Sequence, residues 1–308
     1  MDIQPLSTHI AAEVTQVDLR GALDPNLFAA ISDAFDQYAV LVFRNQQLDD
    51  AAQIAFSRRF GELEIMQKGA LGSATVLAGI SNVDPATDRV LARDDPRMMR
   101  QFSNQLWHTD SSFKAISAKA SLLHAREVPA TGGATHFASM RAAWDTLDSE
   151  TQNLCLNLAA EHNFVYSRSL TIADDFLTED QKAEVPPVPQ ALVNQHPRTK
   201  RRALYLASHA SHILGWPFEQ GRRLLDTLTE HATQAEFVYT HEWRQWDLVM
   251  WDNRATMHKG SRYDYTTDRR VMIRTTVAGD SPTISPQQVE RAIASAQRSN
   301  EGEITYAN

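Results

Sequence analysis

The chain has 308 residues, of which 43% are hydrophobic and 22% are charged, a balance typical of a globular protein with a large core. Its net charge of −8 argues against nucleic acid or an anionic membrane as a partner, and its single cysteine, Cys155, excludes an intrachain disulfide and a cysteine-rich metal site. Because there is neither a secretory leader nor an apolar run of about 20 residues, we expect a cytoplasmic protein.

The N-terminal third combines short strands with helices. Pro25 opens a helical pattern that places Ile31 and Phe35 on one face. Residues 84–104 show no clear period, and we expect a long loop of the kind that often forms lids or binding sites. The same patterns predict short strands and turns in 1–23, buried strands at 38–43 and 76–80, and a helix from Leu48 to Gly61.

Strands dominate the rest of the chain. Gly132-Gly133 predicts a tight turn into a strand that carries Thr135. The remaining patterns predict helices at 139–160 and 217–232, strands at 203–206, 237–239, 248–251 and 270–277, and a loop at 165–190. We expect the polar tail from about residue 298 to be disordered. No repeat or linker interrupts the chain, which predicts one α+β domain over 1–308 with a β-sandwich or jelly-roll core.

A short motif, His108-Thr109-Asp110, is the first candidate for chemistry. In a strand, side chains two residues apart point to the same face, with their Cα atoms roughly 7 Å apart. An imidazole and a carboxylate so placed can share a metal ion, although this pair alone occurs often by chance. A second histidine would complete the two-histidine, one-carboxylate face of non-haem Fe(II) oxygenases.

Residues far along the chain supply the missing parts. His258 follows a buried strand, and Arg270 lies twelve residues beyond it. A buried arginine is a natural anchor for a dicarboxylate, and Thr135 adds a hydroxyl to the same carboxylate. Strand parity places Arg270 and Arg274 on one face and turns Arg269 away from it.

Taken together, these pieces resemble the TauD/TfdA family of Fe(II)/2-oxoglutarate-dependent dioxygenases over nearly the whole chain. Within that family the chain is most similar to the 2,4-dichlorophenoxyacetate branch, as indicated by 104–108, 209–212 and the spacing from His258 to Arg270. The matching motifs are Trp107-His108-Thr109-Asp110, Gly132-Gly133-Ala134-Thr135, Trp251-Asp252-Asn253-Arg254 before His258, and 269–274.

The resemblance implies a role for each matching residue. His108, Asp110 and His258 bind Fe(II), whereas Thr135 and Arg270 hold the distal carboxylate of the cosubstrate 2-oxoglutarate. Arg274 takes the acidic group of a small anionic substrate. The remaining positions are implied to lie near that substrate: Asn104, Lys68, Arg89 and, as a residue lining the site, Trp243.

The resemblance implies a double-stranded β-helix (jelly-roll) core with flanking helices and an enzyme that uses O2 to hydroxylate an aryloxyalkanoate. Ether cleavage then yields a phenol, with release of succinate and CO2. An alkyl sulfonate or sulfate is the alternative substrate, because an arginine accepts either anion. A non-catalytic metal-dependent binding protein is the alternative outside the enzymes. A zinc hydrolase uses similar metal ligands, but this interpretation gives no role to Thr135 or Arg270. A homo-oligomer is expected from the family.

Overall fold

The computed structural model describes residues 1–65, 75–171 and 178–304, in which helices and several open sheets are mixed. The strands are β1 (Asp2–Pro5), β2 (Ala12–Thr15), β3 (Val40–Phe43), β4 (Leu77–Ser81), β5 (Val83–Asp84), β6 (Arg89–Val90), β7 (Ala118–Glu127), β8 (Thr135–Ser139), β9 (Ala159–His162), β10 (Val188–Ala191), β11 (Val193–Gln195), β12 (Arg202–Leu204), β13 (Ala210–Ile213), β14 (Val238–His241), β15 (Leu248–Asp252), β16 (Thr256–Gly260) and β17 (Val271–Ala278). The helices are α1 (Pro25–Tyr38), α2 (Asp50–Arg58), α3 (Pro96–Phe102), α4 (Met140–Asp145), α5 (Ser149–Cys155), α6 (Phe164–Ser169), α7 (Glu179–Ala183), α8 (Phe218–Ala232) and α9 (Pro286–Ile304).

A seven-stranded sheet forms the largest layer, with the strand order β1-β2-β3-β15-β7-β17-β4. Its neighbours are antiparallel except β2 and β3, which are parallel. A three-stranded antiparallel sheet, β14-β8-β16, carries the segments that hold Thr135 and His258. A third small sheet, β10-β9-β13, and the pairs β11-β12 and β5-β6 complete the β structure.

Alternating side chains give the seven-stranded sheet two buried faces. On the outer face, Leu41 and Phe43 pack with Ile31 of α1 and Phe56 of α2. On the inner face, neighbouring side chains of the same strands pack against Phe137 of the three-stranded sheet; they include Val40, Val42, Leu123, Val249, Trp251 and Met272. The inner face is therefore the one from which polar side chains can be presented between the two sheets.

The start of α1 follows from local chemistry that the sequence displays. The Asp24 side chain accepts hydrogen bonds from the backbone N–H groups of Asn26 and Leu27, and Pro25 occupies the first turn. The helix ends at Ala39, whose φ of 60° is left-handed. The predicted helix is confirmed, as are the helix at α8 and the strands at β3, β15 and β17.

Two expectations for residues 84–160 were wrong. The expected loop at 84–104 contains the β5–β6 pair and α3, where Asp95 caps the helix and Met98 is fully buried. A helix of seven residues, about two turns, is too short to be revealed by apolar periodicity. The expected single helix at 139–160 is divided into α4 and α5, since Asp148 caps a new helix, and it is followed by β9.

The second expected loop, at 165–190, holds α6, α7 and part of β10 in its described portion. The tail that was expected to be disordered from about 298 continues as α9 to Ile304. Cys155 is a free, buried thiol at the end of α5. No helix within the described ranges is long and apolar enough to span a lipid bilayer.

Candidate active site

His108 and His258 are joined through their backbones rather than through a continuous strand. The N–H of His108 donates to the His258 carbonyl at 2.9 Å, and the N–H of His258 donates to the His108 carbonyl at 2.8 Å. Asp110 follows in a turn, so the strand expected around it is only this single bridge. The bridge still brings one potential ligand atom from each of these three buried residues to within 4.8 Å of the others.

Both imidazoles are arranged as neutral ligands. The Nδ1 of His108 lies 2.8 Å from the Leu106 carbonyl, to which it donates, and this leaves Nε2 for the metal. Burial lowers the pKa of His108, and burial followed by the neighbouring His108 lowers the pKa of His258 well below its ordinary value. A neutral imidazole is the form that binds a metal ion.

Asp110 is held as a carboxylate by its surroundings. Burial alone would raise its pKa, but the adjacent Arg274 guanidinium holds it well below the usual range. A guanidinium nitrogen of Arg274 lies 2.5 Å from one carboxylate oxygen, and the Ser121 hydroxyl donates to the other at 2.7 Å. The side chain therefore enters the site charged and with a fixed orientation.

Asn253 organises the groups behind Asp110. Its Oδ1 accepts from the Asp110 backbone N–H at 3.2 Å and from the Trp251 indole N–H at 3.1 Å. Its Nδ2 donates to the Ser121 hydroxyl at 3.0 Å. This buried network was not predicted, although Asn253 belongs to a motif that was singled out.

Arg270 and Thr135 form a second polar region, which we call the anion end. Arg270 is 8% exposed, and its Nε is buried without a hydrogen-bond partner among the described residues. Its only side-chain hydrogen bond in that part of the chain is a long one, 3.4 Å, to the Gly133 carbonyl. The Thr135 hydroxyl accepts from the Trp243 indole N–H at 2.9 Å.

Gly133 allows the close approach of Arg270. Its φ of +69° is left-handed, and a Cβ at this position would lie 2.8 Å from Pro129 and 3.4 Å from the Arg270 Nε. The predicted tight turn thus provides space beside the guanidinium. Burial lowers the pKa of Arg270, and a buried guanidinium of this kind is strongly stabilised by a bound anion.

One cavity connects the metal ligands to the anion end. Both histidines line it, together with Thr135, Arg270 and Arg274. Apolar and aromatic side chains contribute the rest of its surface, including Ile80, Leu123, Trp251, Tyr263 and Tyr265. Such a cavity suits a ligand that combines an apolar body with anionic groups.

Comparisons with known proteins agree with this arrangement. The family model described as "Taurine catabolism dioxygenase TauD, TfdA family" matches residues 2–276. The chain belongs to the TauD/TfdA family. An alpha-ketoglutarate-dependent 2,4-dichlorophenoxyacetate dioxygenase from Burkholderia sp. (strain RASC) is 43% identical over 281 residues, covering 89% of this chain and 93% of the relative. An alpha-ketoglutarate-dependent sulfate ester dioxygenase from Pseudomonas putida is 31% identical, with coverages of 94% and 94%.

A solved structure extends the likeness to three dimensions. The crystal structure of AAD-2 in complex with Mn(II) and N-oxalylglycine has a TM-score of 0.86 and 44% identity, covering 92% of this chain and 100% of that one. As a TauD/TfdA family member, the protein is an Fe(II)/2-oxoglutarate-dependent dioxygenase, an oxidoreductase that uses O2. The predicted family and enzyme class are confirmed.

The side chains of this site fit these cofactors. Two neutral imidazoles and one carboxylate on one face are a typical donor set for Fe(II). The unpartnered Nε of Arg270 and the nearby hydroxyl of Thr135 fit the distal carboxylate of 2-oxoglutarate.

The other predicted substrate residues differ in their placement. Asn104 lines the cavity beside His108. Arg89 is exposed on β6 and does not line it, and Lys68 lies outside the described residues. Trp243 is half-buried behind Thr135. A further cation that the sequence analysis missed, Arg168 of α6, acts electrostatically on His108 and lies 4.6 Å from the centre of the Phe164 ring.

Proposed function

We propose that this dioxygenase oxidises a small aryloxyalkanoate at the carbon beside the ether oxygen, so that the ether is cleaved to a phenol with release of succinate and CO2. The observation that carries the proposal is a second arginine in the cavity, Arg274. Its side chain is 17% exposed, and its Nε, like that of Arg270, is buried without a partner in the described residues. The cavity thus offers the guanidinium of Arg270 for one anion and that of Arg274, which pairs with Asp110 through one nitrogen and has no partner at Nε in the described residues, for a second.

The proposed reaction assigns the residues of the cavity to the metal, the cosubstrate and the substrate. His108, Asp110 and His258 hold Fe(II), Thr135 and Arg270 bind the distal carboxylate of 2-oxoglutarate, and Arg274 binds the substrate carboxylate. Bound Fe(II) supplies O2 activation coupled to the oxidative decarboxylation of 2-oxoglutarate. Asn104 borders the substrate, while Trp243 orients the Thr135 hydroxyl through its indole N–H.

The protein contributes position and the exclusion of water. Arg274 binds one end of the substrate and lies beside Asp110, which fixes the distance between the substrate anion and the metal face. The apolar residues Ile80, Leu123 and Trp251 keep the aryl portion out of water. We further propose that the seven-stranded and three-stranded sheets together form a double-stranded β-helix, because both contribute residues to one enclosed site.

An alkyl sulfate or sulfonate is the second candidate substrate. A guanidinium binds a sulfate as readily as a carboxylate. The sulfate ester dioxygenase from Pseudomonas putida, at 31% identity, is the more distant relative. The greater identity to the 2,4-dichlorophenoxyacetate enzyme favours the carboxylate. A non-catalytic binding protein is disfavoured, because all three ligand positions hold competent side chains. A cytoplasmic location, a homo-oligomer, and substrate contacts of Lys68 and Arg89 stay predictions.

A substrate panel tests the proposal. Purified enzyme with Fe(II), ascorbate and 2-oxoglutarate is given an aryloxyacetate, both enantiomers of a 2-aryloxypropionate, an alkyl sulfate and taurine, and succinate and phenol are measured. We expect stoichiometric succinate and phenol from at least one aryloxyalkanoate, with His108→Ala as the background control. Coupled turnover of only the sulfate or taurine would refute the aryloxyalkanoate assignment.

A further inference from the structure

A second cavity, of about 920 Å³, lies against the candidate active site. We call it the vestibule; residues of β16, of the loop 261–266 and of the turn before His108 line it. It shares five lining residues with the active-site cavity: Gln105, Gly260, Ser261, Tyr263 and Tyr265. Because these residues line both spaces, the vestibule adjoins the active-site cavity.

Three cations line the vestibule: Arg93, Lys259 and Arg262. Lys259 has its ammonium 4.8 Å from the centre of the Trp107 ring, and the Arg262 Nε donates to the Gln105 side-chain oxygen at 3.2 Å. None of these cations forms an ion pair with a carboxylate in the described part of the chain. Lys259 and Arg262 are thus held in place by neutral partners, and no described carboxylate forms an ion pair with either of them.

Among the described residues that line the vestibule, one is acidic. It is Asp264, whose carboxylate accepts from the backbone N–H and the hydroxyl of Thr266. The described lining of the vestibule therefore carries a net positive charge, on a protein whose net charge is −8. A local positive patch beside a site raises the local concentration of anions and their association rate.

We propose that the vestibule is an anion-capture site through which the dicarboxylate 2-oxoglutarate enters, a role that rests on the proposed assignment of Arg270 to this cosubstrate. Arg270 lies 5.9 Å from the centre of the Tyr263 ring, and Tyr263 borders both cavities. The anion thus passes from Lys259 and Arg262 to the more deeply buried Arg270.

The residues that line both cavities link Arg262 of the vestibule to the wall of the active-site cavity. Arg262 donates to Gln105, and the Gln105 amide donates to the Tyr265 hydroxyl at 2.9 Å. Tyr265 packs on Tyr263, with ring centres 4.2 Å apart. A carboxylate that binds Arg262 competes with Gln105 for its guanidinium and so loosens the side chains between the two cavities.

The test measures association of 2-oxoglutarate with the Mn(II)-loaded protein by stopped-flow tryptophan fluorescence, since Trp251 lines the active-site cavity. We expect Lys259→Gln/Arg262→Gln to lower the association rate constant about tenfold at low ionic strength, and less than about twofold in 0.5 M NaCl, where exposed charges are screened. Lys259→Gln alone, which retains the Arg262–Gln105 bond, is expected to give an intermediate value, and Lys259→Arg the wild-type value. Arg223→Gln, which removes an exposed cation of α8, is the matched control.

An unchanged rate constant in the double variant overturns the proposal, as does a decrease of the same size in Arg223→Gln. A decrease that persists undiminished in high salt also overturns it, since it indicates altered structure rather than lost attraction. No aryloxyalkanoate takes part in this measurement, so a wrong substrate assignment leaves the result interpretable.

Discussion

The metal face and the anion end of the same cavity differ in how their polar groups are satisfied. At the metal face, Asp110 has Ser121, Arg274 and, through its backbone, Asn253 as partners, and His108 donates to Leu106. At the anion end, the Nε of Arg270 has no hydrogen-bond partner in the described part of the chain, where its side chain forms one long hydrogen bond. The protein itself therefore orders Asp110 and His108 by hydrogen bonds, whereas His258 Nδ1 and Arg270 Nε are both buried without such a partner among the described residues.

This difference has an energetic meaning. Asp110 and His108, which are held by internal hydrogen bonds, lose little conformational freedom when the metal binds. A buried guanidinium without its anion is destabilising, and the binding of a carboxylate relieves that cost. We therefore expect substitutions at the metal face to reduce metal affinity, and substitutions at the anion end to reduce cosubstrate affinity.

The largest expected effect follows removal of Asp110. Asp110→Ala and the shape-preserving Asp110→Asn are both expected to abolish Mn(II) binding, measured by electron paramagnetic resonance, and succinate formation. The reason is that Asp110 is the one anionic ligand which the described residues contribute to this face. Because Asp110→Ala also leaves Arg274 without its carboxylate partner, Asp110→Asn is the variant to compare with wild type by thermal melting. Normal metal affinity in Asp110→Asn would show that this face is not the metal site.

The second largest effect is expected for Arg270→Ala. We expect the KM for 2-oxoglutarate to rise about 100-fold or more, with a much smaller change in the KM for the substrate, because a buried charge-assisted contact is lost. Arg269→Ala is the matched control: the adjacent arginine points away from the cavity and pairs with Glu127 and Asp88. Equal rises of the two KM values in Arg270→Ala would mean that the anion end does not distinguish the cosubstrate.

The sequence predicted the parts of the site that depend on regular periodicity. Arg270, Met272 and Arg274 alternate with Arg269 and Val271, and the two-residue repeat of a strand placed both cavity arginines on the inner face. The Gly132-Gly133 turn before Thr135 was equally visible. These features require only local geometry, which a sequence displays directly.

The hydrogen-bond network behind Asp110 could not be predicted in this way. Ser121 and Asn253 are 132 residues apart and meet only because β7 and β15 are neighbours in the sheet. Serine and asparagine in a sequence give no sign of their distant partners. The vestibule cations were missed for a related reason, since Lys259 and Arg262 have the composition of ordinary surface charge. The Asp110 network and the vestibule both depend on which distant segments meet in the folded protein.

A smaller effect is expected when a residue behind the metal face is changed. Asn253→Ala is expected to reduce Mn(II) affinity about tenfold while the KM for 2-oxoglutarate changes little, because Asp110 loses its backbone acceptor and Ser121 loses a donor. Ser121→Ala tests the same network independently, and the double variant should show a loss smaller than the sum of the two. Additive losses in binding free energy would contradict a shared network.

The smallest effect is expected when a single hydrogen bond at the anion end is removed. Trp243→Phe removes the indole N–H that lies 2.9 Å from the Thr135 hydroxyl and retains most of the aromatic side chain. A hydrogen bond of this kind contributes about 1 kcal/mol, so we expect the KM for 2-oxoglutarate to rise about fivefold. Mn(II) affinity is expected to be unchanged, because Trp243 touches none of the groups that hold Asp110. If Mn(II) affinity fell as well, the metal face and the anion end would be energetically coupled and would not bind their ligands independently.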